Sequence, residues 1–247
     1  MSRETSMPSP RTLVASVILA SVLAIPAGGQ SPGERRRSDF ARRFSGSLGA
    51  WLMQPTGELR DNIGNGIGFG GASLFRLDHT GIVALRADIG LGGYGQESKR
   101  VPLSPTVGGR VQVDVVTRNY IAVGNFGPQL TVPSGVVRPY VNAGVGFQAF
   151  FTESDVEDDN DSHSFASTTN QSDWTPTFAA GGGLYVPLPY EKCPVLLDFG
   201  FTWYTGGRAT YLKPGSIEDL PNSQIRITPL ESATSFMLFR VGVKIGR

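Results

Sequence analysis

Hydrophobic and polar residues alternate with a period of two along much of the chain. In the segment 83–93 the odd positions up to Leu91 are apolar, whereas the even positions carry Arg86, Asp88 and two glycines. The same alternation recurs in three further segments, 137–151, 195–203 and 237–245. Because successive side chains of a β-strand point to opposite faces, this pattern predicts strands with one apolar and one polar face.

Weaker alternation predicts four more strands. They cover residues 44–54, 66–77, 109 to about 132, and 174–186. The total is about eight antiparallel strands. The segment 109–132 is long for a single strand, and its alternation slips near 124–127, where we expect a bulge or a break that would change the strand count.

The connections between these strands alternate between short and long. Three are short, at 78–80, 133–135 and 188–194, and four are long and polar, at 55–65, 95–108, 152–173 and 205–233. Short periplasmic turns at one end and long external loops at the other are typical of transmembrane β-barrels. The sequence therefore predicts an all-β fold, a closed antiparallel up-and-down transmembrane β-barrel.

A soluble barrel or β-sandwich is the alternative. In such a fold the polar face meets water and is rich in Lys, Glu and Asp. Here the second face is instead rich in Gly, Thr, Tyr, Asn and Gln, with isolated Arg and Asp. A small closed lumen accommodates small residues and paired charges better than open solvent does, which favours the membrane barrel.

The N-terminal residues have the order of a secretory signal peptide. Arg3 and Arg11 precede an apolar run at 13–25, which is followed by Pro26 and small residues at 27–29. At about 1.5 Å per residue this run is too short to span a hydrocarbon core of roughly 30 Å. We expect three regions: a signal peptide at 1–29, a flexible periplasmic arm at 30–43 and the barrel at 44–247.

Composition excludes some classes of function. Of the 247 residues, 17% are charged and the formal net charge is +1, so no concentrated basic surface for nucleic acid is expected. The single cysteine, Cys193, cannot form an intramolecular disulfide.

The segment 138–147 (RPYVNAGVGF) closely resembles the small outer-membrane β-barrel domain family, the OmpA/OmpX-like proteins. The likeness continues in outline from about Phe44 onward. It implies an eight-stranded barrel in the outer membrane of a Gram-negative cell, inserted by the barrel-assembly machinery. The partners it implies are that machinery and outer-membrane lipid, and we expect a monomer.

Polar residues on the second face are predicted to point into the lumen. An eight-stranded barrel is only just wide enough inside for its own side chains, and charges buried there must be paired. We therefore expect a structural rather than a catalytic network. Its predicted members are Arg76, Arg86, Asp88, Arg110, Asp114, Arg118, Arg138, Tyr140, Asn142, Gln148, Asp198 and Arg240.

Aromatic residues near strand ends are expected to form girdles at the membrane interfaces. They are Trp51, Trp174, Trp203, Tyr185 and Tyr204. The segment 66–71 matches the dinucleotide motif G-x-G-x-x-G, but it continues as a strand instead of opening a helix, so no cofactor is expected. Its glycines are expected to leave room for large lumen side chains opposite them.

Candidate chemistry is sparse. The two histidines are His79 and His163, and His163-Ser164 with Glu153 is the one conceivable hydrolytic set. The acidic run 153–161 offers oxygens for calcium but lacks the spacing of an EF-hand loop, so we expect a solvated loop and no metal. The expected function is a non-enzymatic outer-membrane protein with a structural or surface-binding role through its long loops. The alternatives are a lipid-modifying enzyme and a small-solute pore.

Overall fold

The computed structural model of the chain describes residues 43–102, 112–158, 161–188, 195–220 and 224–246. The predicted signal peptide, residues 30–42 of the predicted arm, and Arg110 lie outside the described residues. Within the described ranges, no helix combines the length and the apolar character that crossing a membrane requires. The elements in chain order are β1 (Phe44–Thr56), α1 (Glu58–Asn62), β2 (Gly66–Arg76), β3 (Val83–Pro102), β4 (Gln112–Thr131), β5 (Arg138–Asp158), β6 (Asp161–Pro187), β7 (Val195–Tyr211), β8 (Ile217–Leu220), β9 (Gln224–Ile227) and β10 (Leu230–Ile245).

Eight of these strands close into a barrel in the order β1-β10-β7-β6-β5-β4-β3-β2. Every neighbouring pair in the barrel is antiparallel. The short strands β8 and β9 form a separate two-stranded sheet in the connection between β7 and β10. The predicted closed, antiparallel, up-and-down barrel of eight strands is confirmed.

The expected break near 124–127 is wrong. Strand β4 runs through this segment, and its register with β3 is constant from Ile89↔Gly124 to Arg86↔Gly127. Towards the loop end the inward residues Ile121 and Val123 of β4 are apolar, whereas Asn125 and Gln129, towards the other end of the strand, are polar. The alternation of apolar and polar residues is interrupted here because the inward residues change from apolar to polar. The register of β4 with β3 stays regular.

The outward face of the barrel is an exposed apolar band. Large apolar side chains alternate along it, and Ile67, Phe178 and Val141 remain 71%, 70% and 58% exposed. Such a continuous apolar surface is rare on a protein surrounded by water. Lipid is its natural environment, so the chain is a transmembrane β-barrel and not a soluble one.

The two ends of the barrel differ in their connections. At one end, here called the turn end, β2–β3, β4–β5 and β6–β7 are joined by short segments; the opposite end is called the loop end. Most of the predicted long loops at 95–108 and 152–173 are in fact strand, because β3 pairs with β4 out to Pro102↔Gln112 and β5 with β6 out to Asp158↔Asp161. These extensions are polar on both faces, so they lack the alternation that marks a lipid-facing strand.

Asp78 holds the turn between β2 and β3. Its Oδ2 accepts hydrogen bonds from the Thr80 hydroxyl and from Ile82 N (3.0 Å), and its Oδ1 accepts one from Val83 N (3.0 Å). The hydrogen bond from Thr80, with those from the backbone, lowers the pKa of Asp78 to about 2. The ionised carboxylate is therefore the form that the turn stabilises.

We expect Asp78 to make the stability of the barrel depend on acid pH. Because its folded pKa lies below its ordinary value of 3.8, its contribution is fully present above that value and is lost as the pH falls towards about 2. Asp78→Asn should therefore lower the free energy of unfolding near neutral pH and flatten its dependence on pH in this window, as measured by denaturant titration. Asp61→Asn, an exposed change in α1, is the control. A pH dependence that persists unchanged in Asp78→Asn would contradict this assignment.

Candidate functional site

The turn-end half of the lumen is built around a pair of charges on β3. Arg86 and Asp88 are two residues apart, so both point inward. The Nε and Nη2 atoms of Arg86 donate to the two carboxylate oxygens of Asp88, each at 2.7 Å, and its Nη1 donates to Gln129 Oε1 at 2.7 Å. Arg86 is only 2% exposed, so this bidentate pairing compensates a charge that is withdrawn from water.

Arg240 on β10 connects this pair to a second carboxylate. Its Nη1 donates to Asp88 Oδ1 at 2.9 Å, and its Nη2 lies 3.3 Å from Asp198 Oδ2. The hydroxyl of Tyr140 donates to Asp198 Oδ1 at 2.8 Å. Two arginines and two aspartates thus form one neutral group, called here the charge cluster (Arg86, Asp88, Asp198 and Arg240).

Aromatic and amide side chains surround the charge cluster. The ring of Tyr185 stacks on that of Tyr140, with centroids 4.4 Å apart. The Tyr185 hydroxyl lies 3.3 Å from both Arg86 Nη1 and Gln129 Nε2. Sequence reasoning did not assign Gln129 and Tyr185 to the lumen, and the register between strands is the information that would have placed them there.

Further polar pairs bridge strands higher in the lumen. Asn125 Nδ2 donates to the Tyr204 hydroxyl at 3.0 Å, and Gln148 Nε2 donates to Thr177 Oγ1 at 2.9 Å. These side chains are buried, and each hydrogen bond joins residues on different strands. They hold the wall strands to one another, while Gln148 Oε1 is left without a hydrogen-bond partner among the described residues.

Most of the predicted network lies on the inward face. The residues on that face are Arg76, Arg86, Asp88, Arg138, Tyr140, Asn142, Gln148, Asp198 and Arg240. Five of them meet in or at the charge cluster: Arg86, Asp88, Tyr140, Asp198 and Arg240. Arg76 and Arg138 lie nearer the turn end, Asn142 is buried opposite Gln129, and Gln148 belongs to the higher pair with Thr177.

The prediction is wrong for Asp114 and Arg118. Even-numbered residues of β3 pair with odd-numbered residues of β4, as in Asp88↔Asn125, so the even-numbered residues of β4 face away from the lumen. Both residues lie in the strand extensions at the loop end. Arg118 Nη1 bonds to Asp155 at 2.7 Å, and Asp114 accepts hydrogen bonds of 3.1 Å from Arg100, which lower the pKa of Asp114.

The loop-end half of the lumen holds a large apolar cluster beside the buried polar pairs. Its members include Trp51, Met53, Ile121, Val123, Phe150, Tyr204, Tyr211, Phe236 and Leu238. Leu59 of α1 and the adjacent Ile63 belong to the same cluster and are 0% and 5% exposed. Helix α1 therefore covers the lumen at this end through apolar contacts.

Glu58 fixes α1 in this position. Its Oε2 accepts a hydrogen bond from Ala233 N on β10 at 3.0 Å and lies 3.3 Å from Arg208 Nη1 on β7. Arg208 also donates to Glu231 on β10 at 3.0 Å. One carboxylate thus ties the connection between the first two strands to the last two strands of the barrel.

Glycines of β2 and β3 make room for Trp51. A Cβ atom at Gly68 or Gly92 would run into the indole ring, and one at Gly90 would lie 3.0 Å from Trp51 Nε1. Trp51 is therefore an inward residue, and so are Tyr185 and Tyr204. The prediction that these three residues lie in the interfacial girdles is wrong, because their side chains pack inside the barrel. Trp174 and Trp203 are exposed on the outward face, at 68% and 46%.

The candidate hydrolytic residues Glu153, His163 and Ser164 and the acidic run 153–161 belong to the hairpin of β5 and β6. Glu153 pairs with Thr169, whereas Ser164 pairs with Glu157, so Glu153 does not lie opposite the His163-Ser164 pair. Asp155 is bound by Arg118, and Asp159 lies outside the described residues. In the part of the chain that the structure describes, no three His, Cys, Asp or Glu side chains are grouped as a metal ion would require.

No protein-family model matches the chain, and no curated protein matches it in sequence. It is similar to several solved structures. Neisserial surface protein A is 14% identical, with 83% of this chain and 97% of that one covered and a TM-score of 0.38. Ail, the attachment invasion locus protein of Yersinia pestis, is 12% identical, with 82% and 96% covered and a TM-score of 0.38. The N-terminal β-barrel domain of Pseudomonas aeruginosa OprF is 15% identical, with 81% and 97% covered and a TM-score of 0.31.

Proposed function

We propose that this protein is a closed, non-enzymatic outer-membrane barrel that displays a β-sheet at the cell surface for binding other molecules. The loop end is then extracellular and the turn end periplasmic. Insertion by the barrel-assembly machinery and contact with outer-membrane lipid belong to the proposal. Because a closed barrel wall has no unpaired edge, we also propose that it is a monomer.

The filled lumen supports the closed state. The charge cluster occupies one half of the interior, and the apolar cluster under α1 occupies the other. The four groups of the charge cluster hold one another in close pairs, which is the arrangement of a structural network. A pore would instead line a continuous water-filled path with polar groups, so the interior favours an anchor over a solute pathway.

The observation that carries the binding role is the free edge of β6. Strands β3, β4, β5 and β6 all extend beyond the barrel wall at the loop end and pair with one another there. The pairing of β6 with β7, in contrast, begins only at Thr177↔Gly206. Nearer the barrel, Thr210 N on β7 still donates to Asp173 Oδ2 at 2.7 Å. Residues 161–172 therefore form the edge of a projecting four-stranded sheet that, within the described residues, has no strand on its outer side.

An edge of this kind binds extended polypeptide by adding a strand. Natural proteins protect exposed edges with lysine or proline, because unpaired backbone groups recruit other chains. The segment 161–172 contains neither residue and is rich in Ser and Thr. We propose an extended segment of another protein as the bound partner.

A hairpin deletion tests this proposal. Thr152 and Gln171 are paired in the β5–β6 register, so residues 153–170 can be replaced by an Asn-Gly turn. Linear peptides selected from a display library on the intact protein in nanodiscs should lose binding to this variant.

The control deletes another extracellular hairpin. Thr228 N donates to Ser216 O at 2.9 Å, so residues 217–227, which include β8 and β9, can be removed at that point. This variant should keep the selected peptides. Equal binding to both deletion variants, or failure of the intact protein to select any peptide, would refute the proposed edge.

A further inference from the structure

Near the turn end of the lumen, two cationic side chains remain after each acidic side chain has been assigned to its basic partner. The acids on the inward face of this half, among the described residues, are Asp88 and Asp198. Asp88 forms ion pairs with Arg86 and Arg240. Asp198 forms an ion pair with Arg240 and accepts a hydrogen bond from the Tyr140 hydroxyl. Arg138 and Lys244 also face inward here, and neither forms an ion pair with an acid among the described residues; Asp198 attracts Lys244 only at longer range.

Both cations are neighbours of Tyr185. Lys244 Nζ lies 4.6 Å from the centroid of that ring, and Arg138 is the register partner of Tyr185 on β5. The charge on Lys244 is close enough to that on Arg138 for the two to repel. Arg76 lies on the same inward face and has interactions of its own, so the excess of charge does not depend on it.

A buried hydroxyl completes the group. Ser47 on β1 is the register partner of Lys244 on β10, and both point inward. Ser47 is 4% exposed, and its Oγ has no hydrogen-bond partner among the described residues. A buried hydroxyl without a partner is unfavourable, and a ligand oxygen at this place would satisfy it.

Charge and donors together point to an oxyanion. Two like charges inside a barrel, only partly open to water, are costly unless a counter-ion joins them. A phosphate monoester carries about −1.5 to −2 at neutral pH, which matches two positive charges, whereas the phosphodiester of a lipid headgroup carries a single negative charge and neutralises them in part. Its oxygens accept hydrogen bonds from an ammonium, a guanidinium and a hydroxyl, which are the three groups present.

We propose that the turn end of the lumen is a phosphate-binding site formed by Ser47, Arg138 and Lys244. The phosphate is that of a soluble phosphate monoester or that of a phospholipid headgroup at the membrane surface. The site lies at the opposite end of the barrel from the β6 edge and does not depend on the proposed function.

The test uses the full mature barrel in a neutral, phosphate-free detergent. Binding of inorganic phosphate is followed by the broadening of its ³¹P resonance at constant ionic strength, for the wild type, Lys244→Met, Lys244→Arg and Ser47→Ala. Lys244→Met should weaken binding by about tenfold or more, the size expected for a lost charged hydrogen bond. Lys244→Arg should retain binding, and Ser47→Ala should weaken it by less.

Arg208→Met is the matched control, because it removes a cation at the other end of the barrel. All variants are first checked for the gel-mobility shift on heating that marks a folded barrel, and Ser47→Ala supplies the comparison if Lys244→Met does not fold. Repeating the titration with glycerol 3-phosphate and with dihexanoylphosphatidylglycerol separates the two sources. Binding of both compounds supports a soluble monoester, and binding of the lipid alone supports a headgroup. The proposal is overturned if neither compound nor inorganic phosphate binds, or if Lys244→Met and Ser47→Ala both bind like the wild type.

Discussion

Replacing Asp88 with asparagine is expected to lower the free energy of unfolding by about 3–5 kcal/mol, the usual cost of breaking a buried ion pair. Asp88 accepts two hydrogen bonds from Arg86 and one from Arg240. An amide of the same shape leaves the charge cluster with two buried guanidinium groups and one carboxylate. Equilibrium unfolding in lipid vesicles with a chemical denaturant measures the difference.

The matched control is Asp114→Asn. It makes the same chemical change at a carboxylate that also bonds to an arginine, Arg100, but in an exposed pair. Exposed pairs contribute about 0–1 kcal/mol, so the change in stability should be small. Neither the wild type nor Asp88→Asn should give steady conductance in planar bilayers. Stable channels whose ion selectivity shifts in Asp88→Asn would mean that the lumen is a solute pathway.

Val141→Arg is expected to lower the free energy of unfolding by up to about 2–4 kcal/mol, the cost of an arginine at the membrane midplane, because it places a charge on the lipid-facing band. Val141 faces outward on β5 and is 58% exposed. The neighbouring change Asn142→Ser alters a residue of the same strand on the opposite, inward face and should cost much less. Folding yield and denaturant unfolding in vesicles compare the two variants. Equal tolerance at the two positions would mean that the outward band does not face lipid.

The strands that cross the membrane could be predicted because their two faces meet different surroundings. Lipid requires apolar residues on one face, and the narrow lumen requires small or paired polar residues on the other. The extensions of β5 and β6 were not recognised as strands, because both of their faces are polar and no alternation marks them. The irregular alternation near 124–127 has the same cause. From the sequence alone, an apolar residue that lines the lumen cannot be distinguished from one that faces lipid.

The members of the charge cluster could be predicted one by one, but their partners could not. Alternation places Arg86, Asp88 and Arg240 on the polar face of their own strands. Which residue of the next strand faces the same way depends on the register, and a shift of one residue reverses every side chain. Arg118 was assigned to the wrong side for this reason. The position of Trp51 could not be predicted for a different reason. An aromatic residue is equally compatible with the membrane interface and with an interior lined by glycine.

The contacts of Glu58 carry a consequence for the order in which the molecule assembles. Closing the wall joins Gly46 to Ile245, which are almost the full length of the described chain apart, and contacts of such separation form late and slowly. Glu58 reaches the backbone of Ala233, so α1 can dock only after β10 has joined the sheet. Until that step the aromatic residues beneath α1 remain hydrated. Barrel closure and the expulsion of water from the upper lumen should therefore occur together, as the last and slowest phase of folding.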